Sequence, residues 1–394
     1  MSTLGEGGRW RASRRSAVDP FIVMDVISRA ARKQAAGEHI IHMEVGQPGT
    51  AAPEAARRAL REALDKEPLG YTEALGMPAL RERIARHYKE FYGVDVDAEQ
   101  VVITTGSSAG FLLAFLALFD VGQRVAIATP GYPCYRQIMA VLGLEAVLIE
   151  TGPENRWMPT PSQVSQAIAN QGASGLLIAS PANPTGSMLD PGRLGELVAR
   201  CAGGGAWFIS DEIYHGLTYT FAAETAAGLG DNAIVINSFS KYFSMTGWRI
   251  GWMILPQQLV RTVERIQQNL FISAPAVAQV AAIGAFDGID ELERNKQVYI
   301  ANRDVLLDGL SRAGFDRIVP ADGAFYVYAD VSRFTDDSVA YAGRMLDEIG
   351  VAVTPGVDFD QARGQRFIRL SYAGRTEDMI EGVKRIASWG AVRG

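Results

Sequence analysis

Lys241 stands in SFSKYFSMTGWRIGW, residues 238–252, among serines and aromatics, with a single arginine, Arg249, eight positions on. Lysine is rarely buried without a partner. Held beside an apolar wall it loses part of its preference for the charged form, and an amine with a lowered pKa is a nucleophile. Asp211 closes the apolar run of AWFISDEIY, where an acid without a cationic partner is costly. Asn183 lies in SPANPTG after another apolar run, and Ser107 and Ser108 follow a third, in TTGSSAG. Backbone N–H groups and hydroxyls at such a strand-to-helix turn can cradle a phosphate. Each feature alone has an ordinary reading as a snorkelling lysine, a helix cap or a turn. Together, a phosphate cradle, a buried acid, an amine and an arginine suit one ligand with a phosphate, a basic ring nitrogen and an aldehyde.

The elements around these residues decide whether they can meet. QVVITTG, RVAIATP, EAVLIE, GLLIASP, AWFISD, AIVINSFS and RIGWMILP read as strands, with helical stretches such as SSAGFLLAFLALF and YPCYRQIMAVLG between several of them. Short Val- and Ile-rich runs alternating with helices predict an α/β fold, a mostly parallel central sheet with helices on both faces. In such sheets ligands lie at the carboxyl ends of the strands. Lys241, Asp211, Asn183 and the serines all follow strands, and Arg249 is read as beginning the next one. Beyond residue 256 a long helical stretch, roughly residues 257–313, leads into DRIVPADGAFYVYADV, a helix near DSVAYAGRMLDEIG, the strand RFIRLSYA and a last amphipathic helix. The expected organisation is a large domain over residues 41–285 and a smaller α+β domain over 286–394. Residues 1–40 are read as a basic N-terminal arm and the start of the small domain.

Composition excludes several classes. The net charge of −6 argues against a general nucleic-acid binder, which would carry a basic footprint. The two cysteines, Cys134 and Cys201, lack metal-ligand spacing and suggest no disulfide framework, so a reducing cytoplasm is expected. The four histidines form no metal-binding pattern, and no apolar run is long enough to span a membrane. The arginine pair near residue 14 is followed by Asp19, Pro20 and Asp25, where an export signal would need an apolar run.

SPANPTG, SDEIY and SFSKYFSMTGWRIGW, in that order and spacing, resemble the fold-type I, pyridoxal 5′-phosphate-dependent aminotransferases of class I and II. The resemblance runs from EVGQPG near residue 45 to FIRLSYA near residue 370. It implies that Lys241 forms the Schiff base with the cofactor and, once freed by substrate, moves the proton from Cα. Asp211 would partner the pyridine nitrogen, and Asn183 and Tyr214 the ring hydroxyl. Tyr132 would stack on the ring, while Ser107, Ser108, Ser238 and Arg249 would hold the phosphate. Tyr71 would reach the phosphate of a neighbouring subunit, so a homodimer with shared sites is expected. Arg369, Gly46 and Asn183 would bind the substrate, Arg369 taking the α-carboxylate through its two-pronged guanidinium.

What the resemblance implies is an amino-acid donor, a 2-oxo-acid acceptor such as 2-oxoglutarate, and ping-pong transfer. The donor's side chain is not written in these motifs. NLFISAPAVAQ, where one form of the family supplies a cation for acidic side chains, carries no lysine or arginine. Two alternatives stand beside this reading. One is a β-lyase acting on cysteine conjugates with the same cofactor residues. The other is a cofactor-binding regulatory module, disfavoured because no helix-turn-helix is readable in the roughly forty residues before EVGQPG.

Overall fold

A computed structural model describes residues 12–391; residues 1–11 of the expected basic arm lie outside the described residues. The strands in chain order are β1 (Ile41–His42), β2 (Val101–Thr104), β3 (Arg124–Thr129), β4 (Glu145–Glu150), β5 (Ala173–Ala179) and β6 (Trp207–Asp211). They continue with β7 (Ala233–Ser238), β8 (Gly251–Ile254), β9 (Tyr326–Asp330), β10 (Val351–Ala352), β11 (Thr354–Pro355) and β12 (Phe367–Ser371). Seven of them form one sheet in the order β2-β8-β7-β6-β5-β3-β4. All are parallel except β8, which runs antiparallel to both β2 and β7.

Period-two alternation explains why this sheet is buried on both faces. Val102, Val125, Leu177, Ile209, Ile234 and Met253 join one core cluster with Phe111 and Phe115 of the helix Ser107–Leu118. Their strand neighbours Ile103, Ala126, Leu176, Phe208, Val235 and Trp252 join the cluster on the other face, with Leu194 and Leu197 of the helix Arg193–Gly203. A sheet clamped in this way has rigid strand ends. At one edge those ends release Ser107 after β2, Tyr132 after β3, Asn183 after β5, Asp211 at the end of β6 and Lys241 after β7.

The antiparallel β8 has a consequence for Arg249. Because β8 is reversed, its beginning lies at the same edge as the ends of its neighbours, and Gly251 pairs with both Thr104 and Ser238. Arg249 itself precedes the strand that the sequence suggested it begins. It follows a short 3-10 turn, Thr246–Trp248, with φ +51°, a left-handed conformation that turns the chain sharply into β8.

A second, antiparallel sheet, β11-β12-β9, carries Arg369 in register with Thr354 on one side and Tyr328 on the other. The helical stretch expected over residues 257–313 is divided into Gln257–Leu270, Ala276–Ala285 and Ile289–Arg312, the first break occurring before Pro275. Part of the segment read as an arm is a helix, Ile22–Ala35. Its first N–H groups are capped from far along the chain: Ile22 and Val23 donate to the Asp358 carboxylate at 3.2 and 3.3 Å. No helix among the described residues is long and apolar enough to cross a membrane.

Candidate active site

Lys241 is carried by a loop with little freedom. Phe239 packs on Phe243 and on Trp252, each at 4.9 Å between ring centroids, and on Phe286 at 5.5 Å. Thr246 Oγ1 donates to the Ser240 carbonyl at 2.7 Å, closing the loop after the lysine. The Lys241 ammonium therefore emerges from an aromatic wall and donates to the Gly46 carbonyl at 2.6 Å.

A cavity of about 220 Å³ opens around it, and its walls bring together most of the residues singled out from the sequence. Gly46, Ser107, Ser108, Tyr132, Asn183, Asp211, Tyr214, Lys241, Arg249 and Arg369 all line it. Ser238 does not. Its hydroxyl lies behind the wall, bonded to Ser240 Oγ at 2.9 Å and the Ile250 carbonyl at 3.1 Å, and Ser240 is the serine that faces the cavity. Tyr71 is 85% exposed and outside this lining.

Three regions of the cavity differ in chemistry. At one end the helix Ser107–Leu118 begins without a side-chain cap, so its first N–H groups are unclaimed by its N-cap side chain, and Arg249 lies beside that helix start. Gly106, at φ +77°, makes that approach feasible, because a Cβ there would lie 2.6 Å from an Arg249 Nη. In the middle, Asp211 is buried with its Oδ1 accepting the Ile213 N–H at 3.1 Å and its Oδ2 accepting the Tyr135 hydroxyl. At the other end the buried Arg369 donates to Asn183 Oδ1 at 2.8 Å and to the Glu44 carbonyl, while its Nε has no partner.

The match to known proteins decides the family. The model of aminotransferase class I and II matches residues 38–386. The chain belongs to this family. Valine–pyruvate aminotransferase of Mycobacterium tuberculosis is 48% identical to this aminotransferase over 383 residues, 96% of this chain and 98% of that protein. The crystal structure of an aminotransferase from Mycobacterium tuberculosis matches it with a TM-score of 0.94 at 47% identity, over 97% of this chain and 100% of the other. Aspartate aminotransferase from Thermus thermophilus with maleate matches at a TM-score of 0.91 and 31% identity, over 96% and 99% of the two chains. The protein is accordingly an enzyme, a transaminase, with the class I and II fold, and the lyase alternative is not favoured.

The electrostatics of the aminotransferase site follow from burial. Desolvation, helped by the nearby Arg369 and Arg249 charges, lowers the Lys241 pKa to about 8 against the opposing pull of Asp211. A fall from 10.5 to about 8 raises the free-amine fraction near neutral pH about 300-fold. Burial raises the Asp211 pKa to about 6, while the Tyr135 and Ile213 hydrogen bonds and the Lys241 charge hold it down. Near pH 7 the acid is thus mostly a carboxylate in surroundings that reward a cationic partner. Among the described residues, no group of three or more His, Cys, Asp or Glu is placed to hold a metal ion.

Several residues of the site escaped the sequence reading. Tyr135 is in the first turn of the helix Pro133–Leu142, which Tyr132 precedes as its N-cap, and the two rings pack edge to face at 5.3 Å. Tyr326 bonds Tyr214 hydroxyl to hydroxyl at 2.7 Å and lines the cavity, yet GAFYVYAD reads as an ordinary buried strand. Phe21, Val23, Met24 and Ile27, from the start of the N-terminal helix, form an apolar rim. Phe21, Met24 and Ile27 are three residues apart and Val23 and Ile27 four, the spacing of one helical face.

Proposed function

We propose that this aminotransferase uses pyridoxal 5′-phosphate to move the amino group of a neutral aliphatic L-amino acid to a 2-oxo acid. One observation carries the reading: a single desolvated amine, Lys241, shares a cavity with a buried carboxylate, an uncapped helix start beside an arginine, and a second arginine. The donor set fits the cofactor's three polar ends. When bound, the cofactor supplies an aldehyde for amines and a ring that accepts electron density from a substrate carbanion.

The chain's own groups then divide the work. Lys241 Nζ would hold the cofactor and, when displaced by substrate, take the proton from the substrate Cα. Asp211 would keep the ring nitrogen protonated, supported by Tyr135. Asn183 and the Tyr214 hydroxyl would donate to the ring oxygen, and Tyr132 would lie against the ring face. Ser107, Ser108, Ser240 and Arg249 would hold the phosphate with the helix start, Ser238 acting by fixing Ser240. Arg369 would take the α-carboxylate through its two-pronged guanidinium near Gly46.

A count of cations supports the substrate class. Lys241, Arg249 and Arg369 are the lysines and arginines in the cavity lining, and each has a role already. Among the described residues no further positive charge lines the cavity for an acidic side chain, whereas Phe21, Val23, Met24 and Ile27 offer apolar surface. The printed name of the 48%-identical relative, valine–pyruvate aminotransferase, supports the same choice. The same shortage of cations favours a monocarboxylate acceptor such as pyruvate over 2-oxoglutarate. The exposed Tyr71 supports a homodimer in which it serves the partner's site, and the two free cysteines fit a reducing cytoplasm.

A matrix of donors and acceptors tests the reading. Valine with pyruvate should outrun aspartate with 2-oxoglutarate by at least about tenfold in kcat/KM, the scale of one unmatched charge. A preference for aspartate and 2-oxoglutarate would reject the apolar-pocket argument while leaving transamination standing.

A further inference from the structure

Tyr326 touches several parts of the site at once. It is fully buried on β9, one diagonal from Arg369 on the paired strand β12. The Arg369 guanidinium sits 4.4 Å from the centre of its ring. Its hydroxyl meets the Tyr214 hydroxyl at 2.7 Å, and the two rings pack edge to face at 5.7 Å. The same hydroxyl presses on Gly46, where an added Cβ would lie only 1.8 Å away. One side chain therefore braces the carboxylate-binding arginine, the cofactor-side tyrosine and the segment to which Lys241 is bonded.

The hydroxyl pair has a direction. A tyrosine hydroxyl has one proton to donate and lone pairs to accept. If Tyr214 spends its proton on the ring oxygen of the cofactor, it can only accept from Tyr326. The Arg369 charge, 4.4 Å from the centre of the Tyr326 ring, pulls on that phenol's proton and makes it a better donor. Burial is the main influence on each phenol and raises both pKa values, so both stay neutral. The charged and titratable groups near the pair are Arg369, Tyr132, Tyr135, Tyr372 and Lys241, whose ammonium lies 5.9 Å from the Tyr214 ring centre.

We propose that Tyr326 is a positioning residue for the transamination site: it donates to Tyr214, so that Tyr214 must donate to the cofactor, and its ring holds Arg369 in place for the substrate carboxylate. The inference rests on the cofactor reading above. Hydrogen bonds in a chain polarise one another, so the Tyr326 proton strengthens the donation made by Tyr214. A stronger donation favours the deprotonated state of the group at Lys241, which leaves more negative charge on the ring oxygen. The pH midpoint of the bound cofactor's visible absorbance change is thereby lowered.

Two variants of the holoenzyme separate the two roles. Tyr326→Phe keeps the ring under Arg369 and removes the proton. The absorbance midpoint should rise by about half to one pH unit, the scale of one buried hydrogen bond, with donor KM held within about twofold. Tyr326→Leu also removes the ring, and should show the same upward shift with donor KM raised about tenfold. An unchanged or lowered midpoint in Tyr326→Phe overturns the donor role, and an unchanged KM in Tyr326→Leu overturns the bracing of Arg369. A wild type without any visible band would remove the cofactor reading and this inference with it. A wild type with the band and an unmoved midpoint in Tyr326→Phe removes only the role of Tyr326.

Discussion

Replacing Arg369 by lysine keeps the charge and removes the geometry. Arg369 is 2% exposed, and its guanidinium is held between the Tyr326 and Phe359 rings, 4.4 and 4.8 Å from their centres. Nη1 is bonded to Asn183 and Nη2 to the Glu44 carbonyl and Thr354, so the orientation of the plane is set before any ligand arrives. A lysine ammonium at the end of a flexible stem makes no paired, coplanar contacts with a carboxylate. A hydrogen bond to a charged group contributes about 1.5–3 kcal/mol. Adding the loss of orientation, about 2–4 kcal/mol should disappear from transition-state binding, the scale seen when a buried charge pair is disrupted. That corresponds to a fall of about 30- to 900-fold in kcat/KM. The assay is steady-state kcat/KM for valine, isoleucine and leucine against pyruvate, with thermal melting to confirm folding. The α-carboxylate is common to all donors, so the loss should be similar for each. A loss confined to acidic donors would make Arg369 a side-chain reader, and an unchanged kcat/KM throughout would remove it from substrate binding.

Asp211→Ala should slow turnover about a hundredfold or more and weaken cofactor retention, because the ring nitrogen would lose its counter-charge; near wild-type rates would assign that role to another acid. Tyr71→Phe should lower cofactor affinity in a protein that sediments as a dimer, whereas an active, strictly monomeric enzyme would contradict the shared site. In acid, two buried groups act in opposite senses. Burial raises the Glu212 pKa to about 7, so the folded state binds more protons than the unfolded one between about 4.5 and 7 and gains stability as pH falls through that window. Burial lowers the His215 pKa to about 3, so the unfolded state binds more protons below about 6.5 and stability is lost as pH falls from there. Melting temperatures should therefore change little from about pH 7 to 5 and drop more steeply below about 4.5, a drop that His215→Gln should lessen; an equal drop in that variant would shift the cause elsewhere.

The parts of the site legible in the sequence share one property: they sit where a strand of a parallel sheet ends. Asp211, Asn183, Ser107 and Lys241 follow apolar runs, and a sheet clamped between two cores carries those runs to one edge. Arg249 was legible as a residue but not in its conformation, since its left-handed turn depends on β8 running against its neighbours. The choice between Ser238 and Ser240 was hidden because both flank the strand end and only the fold decides which hydroxyl turns inward. Tyr326 and Tyr135 looked like core aromatics, and their hydroxyl partners lie 112 and 76 residues away in the chain. The N-terminal helix was missed for a related reason: its cap, Asp358, is supplied 336 residues downstream of Ile22.

The central claim is that Lys241 is the residue that holds the cofactor. Borohydride reduction of the purified enzyme, followed by digestion and mass spectrometry of the peptides, reads this attachment without relying on turnover. The account predicts the pyridoxyl-phosphate mass on the peptide containing Lys241 and on no other, and its disappearance when valine is added before reduction. A modified peptide lacking Lys241, or an unmodified Lys241 peptide from an active enzyme, would contradict it.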